Sequence, residues 1–118
     1  MEQKDKELLL KDLCARLTYG VKIQVNDKIE SLQGINVLDN VAEYDCCLSS
    51  EIEEVKPYLF PLSDISEKQE HEFLSTCNGY CSYYWTEETF DWLNENHIDY
   101  RGLIEKGLAI DCTNLNIY

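Results

Sequence analysis

Apolar residues near the start of the chain recur with the period of a helix. Leu10, Leu13, Cys14 and Leu17 fall at i, i+3, i+4 and i+7, which predicts an amphipathic helix over residues 6–17 with Cys14 in its core-facing stripe. Gly20 offers its stop. From Val21 the period shortens to two: Val21, Ile23 and Val25 alternate with Lys22 and Gln24, the pattern of a half-buried strand, and Asn26-Asp27 reads as a turn. Residues 29–35 and 41–48, separated by Leu38-Asp39-Asn40, predict two further strands. Turns this short join neighbouring strands antiparallel, as a meander.

Ile52, Val55, Tyr58 and Leu59 fit either a helical turn or a last strand. Pro57 removes a backbone donor that a central strand would use, so the segment is expected at a sheet edge or as a short turn, closed by Pro61. Ser66 with Gln69 forms a capping-box pattern and predicts a helix over residues 66–77, with Phe73, Leu74 and Cys77 as a thin apolar stripe. Thr86 opens another helix, reaching about Asn96, with Glu87 and Glu88 where the dipole favours carboxylates. On it Phe90 and Leu93 share the apolar face, whereas Trp92 points away and is expected to be partly exposed. Asp99 is expected to cap a short final helix ending at Gly107, and Leu108-Ala109-Ile110 to add a late strand. Together these elements predict an α+β fold: an N-terminal helix, a small antiparallel β-meander between residues 20 and 60, and C-terminal helices packing on the sheet. An SH3-like barrel is an alternative for the strand region.

A chain of 118 residues, 44% hydrophobic and 11% aromatic, is expected to form one folded domain. Its longest apolar run, Leu8-Leu9-Leu10, is far short of the roughly 20 residues of a membrane span, and Met1-Glu2-Gln3-Lys4-Asp5 lacks a signal-peptide layout. A soluble, cytoplasmic protein without membrane contact is expected. In that compartment Cys14, Cys46, Cys47, Cys77, Cys81 and Cys112 read as reduced thiols rather than as a disulfide framework.

Candidate chemistry is sparse. Cys77 and Cys81 are spaced C-x3-C and could open a zinc site with Cys112, His71 or His97, but zinc ribbons and fingers usually offer two tight pairs, so no metal or other cofactor is expected. A cysteine nucleophile would need His71 or His97 as its base; neither lies in a catalytic signature, and His97 reads as a cation complementing a helix C-terminus. The five glycines are scattered, so there is no phosphate-binding loop. The chain is expected not to be an enzyme.

Two features point instead to an interaction. Six of the thirteen aromatic residues, Tyr80, Tyr83, Tyr84, Trp85, Phe90 and Trp92, lie within thirteen positions, either packing the sheet against the last helices or anchoring an interface. The formal charge is −13, and it is segregated: residues 1–36 carry six acidic and six basic groups, residues 37–118 seventeen acidic and four basic. Glu87, Glu88, Asp91 and Glu95 recur along one predicted helix. This sign argues against direct nucleic-acid binding and for a partner with a basic surface.

The stretch Phe90-Asp91-Trp92-Leu93-Asn94-Glu95-Asn96-His97-Ile98-Asp99-Tyr100-Arg101-Gly102-Leu103-Ile104, continuing at Gly107-Leu108-Ala109-Ile110-Asp111, resembles a segment shared by small proteins encoded by phages and mobile elements of gut Bacteroidetes. Residues 8–25, Val55-Lys56-Pro57-Tyr58-Leu59 and Pro61-Leu62-Ser63 are similar to the same group. The group has no assigned activity, so the resemblance carries over no functional residue. It implies a bacterial cytoplasm and a mobile-element accessory gene. The function expected is therefore that of a non-enzymatic accessory protein that binds a protein partner through Trp92, Trp85, Tyr84, Glu87, Glu88, Asp91 and Glu95. The alternative is an acidic inhibitor that occupies the DNA-binding groove of a host defence or regulatory protein; a small metal-binding or enzymatic module ranks third.

Overall fold

The computed structural model describes residues 1–45, 48–76 and 85–118. Helix α1 (Gln3–Arg16) buries Leu9, Asp12, Leu13 and Arg16 and leaves Cys14 exposed, so its inward face is rotated from the one the periodicity predicts. Leucines at 8, 9, 10, 13 and 17 allow more than one apolar stripe. The stripe that packs also carries Asp12 and Arg16 inside, where their charges meet each other.

A single 3-10 turn (Leu17–Tyr19) and Gly20 at φ 71° lead into β1 (Lys22–Val25). Asn26 and Asp27 both take positive φ, 52° and 64°, the two-residue turn whose twist suits a hairpin, and β2 (Lys28–Asn36) returns antiparallel with Ile23 opposite Glu30. The third apolar run is two strands rather than one. Asp45, at φ 47°, follows β3 (Val41–Tyr44), and β4 (Leu48–Glu51) pairs back with Tyr44 opposite Leu48. A short acidic side chain tolerates this left-handed conformation, which hydrophobic periodicity does not register.

Strand β5 (Lys56–Pro61) is central, not at the edge expected from Pro57. It pairs antiparallel with β1 and parallel with both β6 (Ile98–Asp99) and β7 (Ile110–Asp111). Successive residues of a strand turn their backbone groups to opposite sides. Lys56 and Tyr58 therefore face β1, while Pro57 faces the side of β7, and that strand begins only opposite Tyr58. The missing N–H of Pro57 costs no ladder bond. The sheet is mixed, in the order β4-β3-β2-β1-β5-β6 with β7 also on β5, and among the described residues no pairing of β4 with β5 or β6 closes it into a barrel.

Between β1 and β5 one ladder bond is relayed by a side chain. The amide of Lys22 donates to the Tyr118 hydroxyl at 2.8 Å, and that hydroxyl donates to the Tyr58 carbonyl at 2.9 Å.

Helices α2 (Glu67–Thr76) and α3 (Glu87–Glu95) carry the caps their sequences announce. The Ser66 hydroxyl accepts from the Gln69 amide while Gln69 Oε1 accepts from the Ser66 amide. Thr86 and Thr89 make the corresponding reciprocal pair. Asp99 also caps, its carboxylate accepting from the amides of Arg101, Leu103 and Ile104 at 3.2, 3.1 and 2.9 Å, but residues 100–107 are turns and not the expected helix. The architecture is α+β, with an N-terminal helix, an antiparallel β1–β4 meander and later helices. Its core lies between α1 and the sheet, where Leu9, Leu13, Val21, Ile23 and Leu59 are fully buried. No helix among the described residues is long and apolar enough to cross a membrane.

Candidate functional site

Three threonines hold α2 against α3. The hydroxyls of Thr86 and Thr89 both donate to the Thr76 carbonyl at 3.0 Å, and Thr89 is fully buried. The last turn of α2 and the first turn of α3 are thereby locked at one spacing.

Aromatic side chains gather over this joint. Phe73 meets Trp85 at 5.7 Å and Trp92 at 5.8 Å between ring centroids; Trp85 meets Phe90 at 5.5 Å, and Phe90 meets Tyr100 at 5.4 Å. Such tilted and edge-on contacts suit the ring quadrupole. Trp85, Phe90 and Trp92 do not pack the main core. Phe90 is 39% exposed instead of sharing the buried face of Leu93, because Thr89, Leu93 and Asn94 supply that face. Trp85 and Trp92 are half-buried. Tyr84, with Tyr80 and Tyr83, lies outside the described residues.

Glu87, Glu88, Asp91 and Glu95 are all exposed. Asp91 faces Tyr19, whose phenol is pushed up by desolvation and then by the charges of Asp91 and Glu95. Between the helices runs an open groove of about 430 Å³, walled by Glu72, Ser75 and Thr76 from α2 and by Glu88, Trp92 and Glu95 from α3. Among the described residues no lysine or arginine lies within ion-pair distance of Glu72, Glu88 or Glu95.

Beneath this face is a charged cluster that sequence reasoning missed. Asp12 and Arg16 have no exposed surface; Arg16 Nε donates to Asp12 Oδ2 at 3.0 Å and Nη2 to the Ile98 carbonyl at 2.6 Å. Arg101 donates to Asp12 Oδ1 at 3.2 Å while its guanidinium lies 4.5 Å over the Tyr100 ring. Burial pushes the Asp12 carboxyl up, against the opposing pull of Arg16 and Arg101. The available signal was the i, i+4 spacing of Asp12 and Arg16, which reads equally well as a solvated surface pair.

His97 is not the helix-terminal cation expected. It is buried at φ 59°, stacks on Tyr118 with centroids 3.7 Å apart and planes 13° from parallel, and is pushed down to about 4 by burial and then by Arg16 and Lys22. Its Nδ1 has no partner among the described residues. His71 stands exposed on α2. Cys112 is buried and its thiol is pushed up to about 11, away from thiolate; desolvation also raises Cys14. Cys77 and Cys81, the spaced pair weighed for zinc, lie outside the described residues, as do Cys46 and Cys47. Comparison of the chain with protein-family models, with curated proteins and with solved structures returns no match.

Proposed function

We propose that this chain is a non-enzymatic, cytoplasmic accessory protein that binds a protein partner with a basic surface through the α2–α3 face. One observation carries the reading: half-exposed Trp85, Phe90 and Trp92 share a face with exposed Glu87, Glu88 and Glu95, which no cation among the described residues neutralises. Aromatic anchors supply most of the energy of an interface, and rim charges supply steering and register. The states of Cys112 and His97 support the non-enzymatic part, since both shifts move away from a thiolate paired with a base titrating near neutrality. The accessory role rests on the resemblance of residues 90–111 alone.

The test is affinity capture from host lysate with a salt gradient. It compares the wild-type chain with Trp85→Ala and with the charge-neutral variant Glu87→Gln/Glu88→Gln/Asp91→Asn/Glu95→Gln. The expected result is a basic-surfaced protein that the wild type retains at moderate salt and that both variants lose. Equal retention by all three chains would overturn the reading. Release at low salt with displacement by duplex DNA would replace it with DNA mimicry.

A further inference from the structure

The groove between α2 and α3 holds the acceptor half of an arrangement that this protein completes elsewhere. At Tyr100, one guanidinium is held by two groups at once: Arg101 lies 4.5 Å over the ring and donates to Asp12 at 3.2 Å. In the groove, Trp92 offers the aromatic surface, Glu72 a carboxylate from one wall, and Glu88 and Glu95 carboxylates from the other. Phe73 braces Trp92 at 5.8 Å, and the threonine joint sets the distance between the walls. The cation is what is missing. The chain has only two arginines, Arg16 and Arg101, and both are committed to Asp12.

We propose that this groove receives an arginine side chain of the protein partner. The inference rests on the reading above and names what the face recognises. Charge complementarity selects a cation, and the aromatic surface selects among cations. A guanidinium is planar, weakly hydrated and able to stack on an indole while its N–H groups fork toward carboxylates, whereas an ammonium is a compact, strongly hydrated point charge. The groove is open to water, so a single side chain binds with only millimolar affinity and the rest of the partner's interface adds to it.

The test uses the full chain and a blocked pentapeptide, Gly-Ala-Arg-Ala-Gly, beside versions with lysine or with citrulline in the middle. Indole N–H signals of the two tryptophans are followed by nuclear magnetic resonance at low salt, with Trp92→Phe assigning the signal. The arginine peptide is expected to move the Trp92 signal saturably and more than that of Trp85. The lysine peptide should bind several-fold more weakly. Citrulline keeps the shape without the charge and should leave the signal unmoved. The Glu88→Gln/Glu95→Gln variant should weaken arginine binding by about five-fold or more with its circular dichroism unchanged. Equal shifts from arginine and citrulline, or an arginine shift indifferent to the double variant, would overturn the proposal. If the peptide fails while lysate capture still depends on the neutralised face, the arginine site falls and the broader reading stands. If capture ignores the face while the peptide titrates as expected, the broader reading falls and the arginine site remains.

Discussion

Arg16 has no exposed surface, and its guanidinium answers Asp12, the Ile98 carbonyl and, at 3.5 Å, the Leu93 carbonyl. It joins α1 to α3 and β6. Removing one member of such a buried pair strands the other's charge, so Asp12→Ala is expected to cost about 3–5 kcal/mol in urea unfolding, whereas Asp12→Leu/Arg16→Met, which removes both charges, should cost clearly less. His97 sets a second, pH-dependent expectation. Unfolded, its imidazole takes a proton near pH 6.5; folded, beside Arg16 and Lys22, it does not until about 4. The unfolded state therefore binds the extra proton within that window, and stability falls as pH drops through it, by about 2 kcal/mol between pH 6.5 and 5. Urea midpoints at pH 7, 6 and 5 read this loss. In His97→Asn, which tolerates the positive φ, the slope over this range should flatten. Neither role was legible from residue types, because charged and imidazole side chains are ordinarily placed outside.

At the scale of elements, the α2–α3 joint and the β1–β5 seam are the two connections on which the fold's second half depends. Thr89 closes the α3 capping box and is one of two hydroxyls on the Thr76 carbonyl; Thr89→Val leaves these polar groups without a partner and is expected to cost about 1–2 kcal/mol in thermal unfolding. At the seam, Tyr118→Phe keeps the ring stacked on His97 but removes the hydroxyl that bridges Lys22 and Tyr58. Hydrogen exchange at the Lys22 amide should accelerate by at least about ten-fold, and an unchanged rate would show that water replaces the phenol at no cost. The caps were readable in advance because they act between residues three apart. The central position of β5 was not, since its neighbours β6 and β7 lie about 40 and 50 residues further along the chain, where no local pattern reports the pairing.

For the whole molecule, a charge of −13 drawn from residues 37–118 means that β3, β4, β5 and the later helices fold against their own repulsion. Only one exposed ion pair among the described residues, Lys6 with Glu53 at 3.0 Å, offsets part of it. Screening that repulsion should raise the melting temperature by several degrees as sodium chloride goes from about 0.01 to 0.3 M, measured by scanning calorimetry. A falling melting temperature would mean that attractive pairs dominate instead.

What the sequence determined by itself is what acts over a few residues: α1 as a helix, the Asn26-Asp27 hairpin, both capping boxes, the α+β class, and the acidity and aromatic density of residues 80–95. Tertiary structure decided which face of α1 turns inward, that Asp12 and Arg16 go with it, that β5 is central, and that Phe73 and Glu72 from one helix meet Trp92, Glu88 and Glu95 from the next. The physical reason is range. Periodicity, turn chemistry and capping are settled between neighbours, whereas a groove walled by two helices exists only after the Thr76, Thr86 and Thr89 bonds have set them side by side.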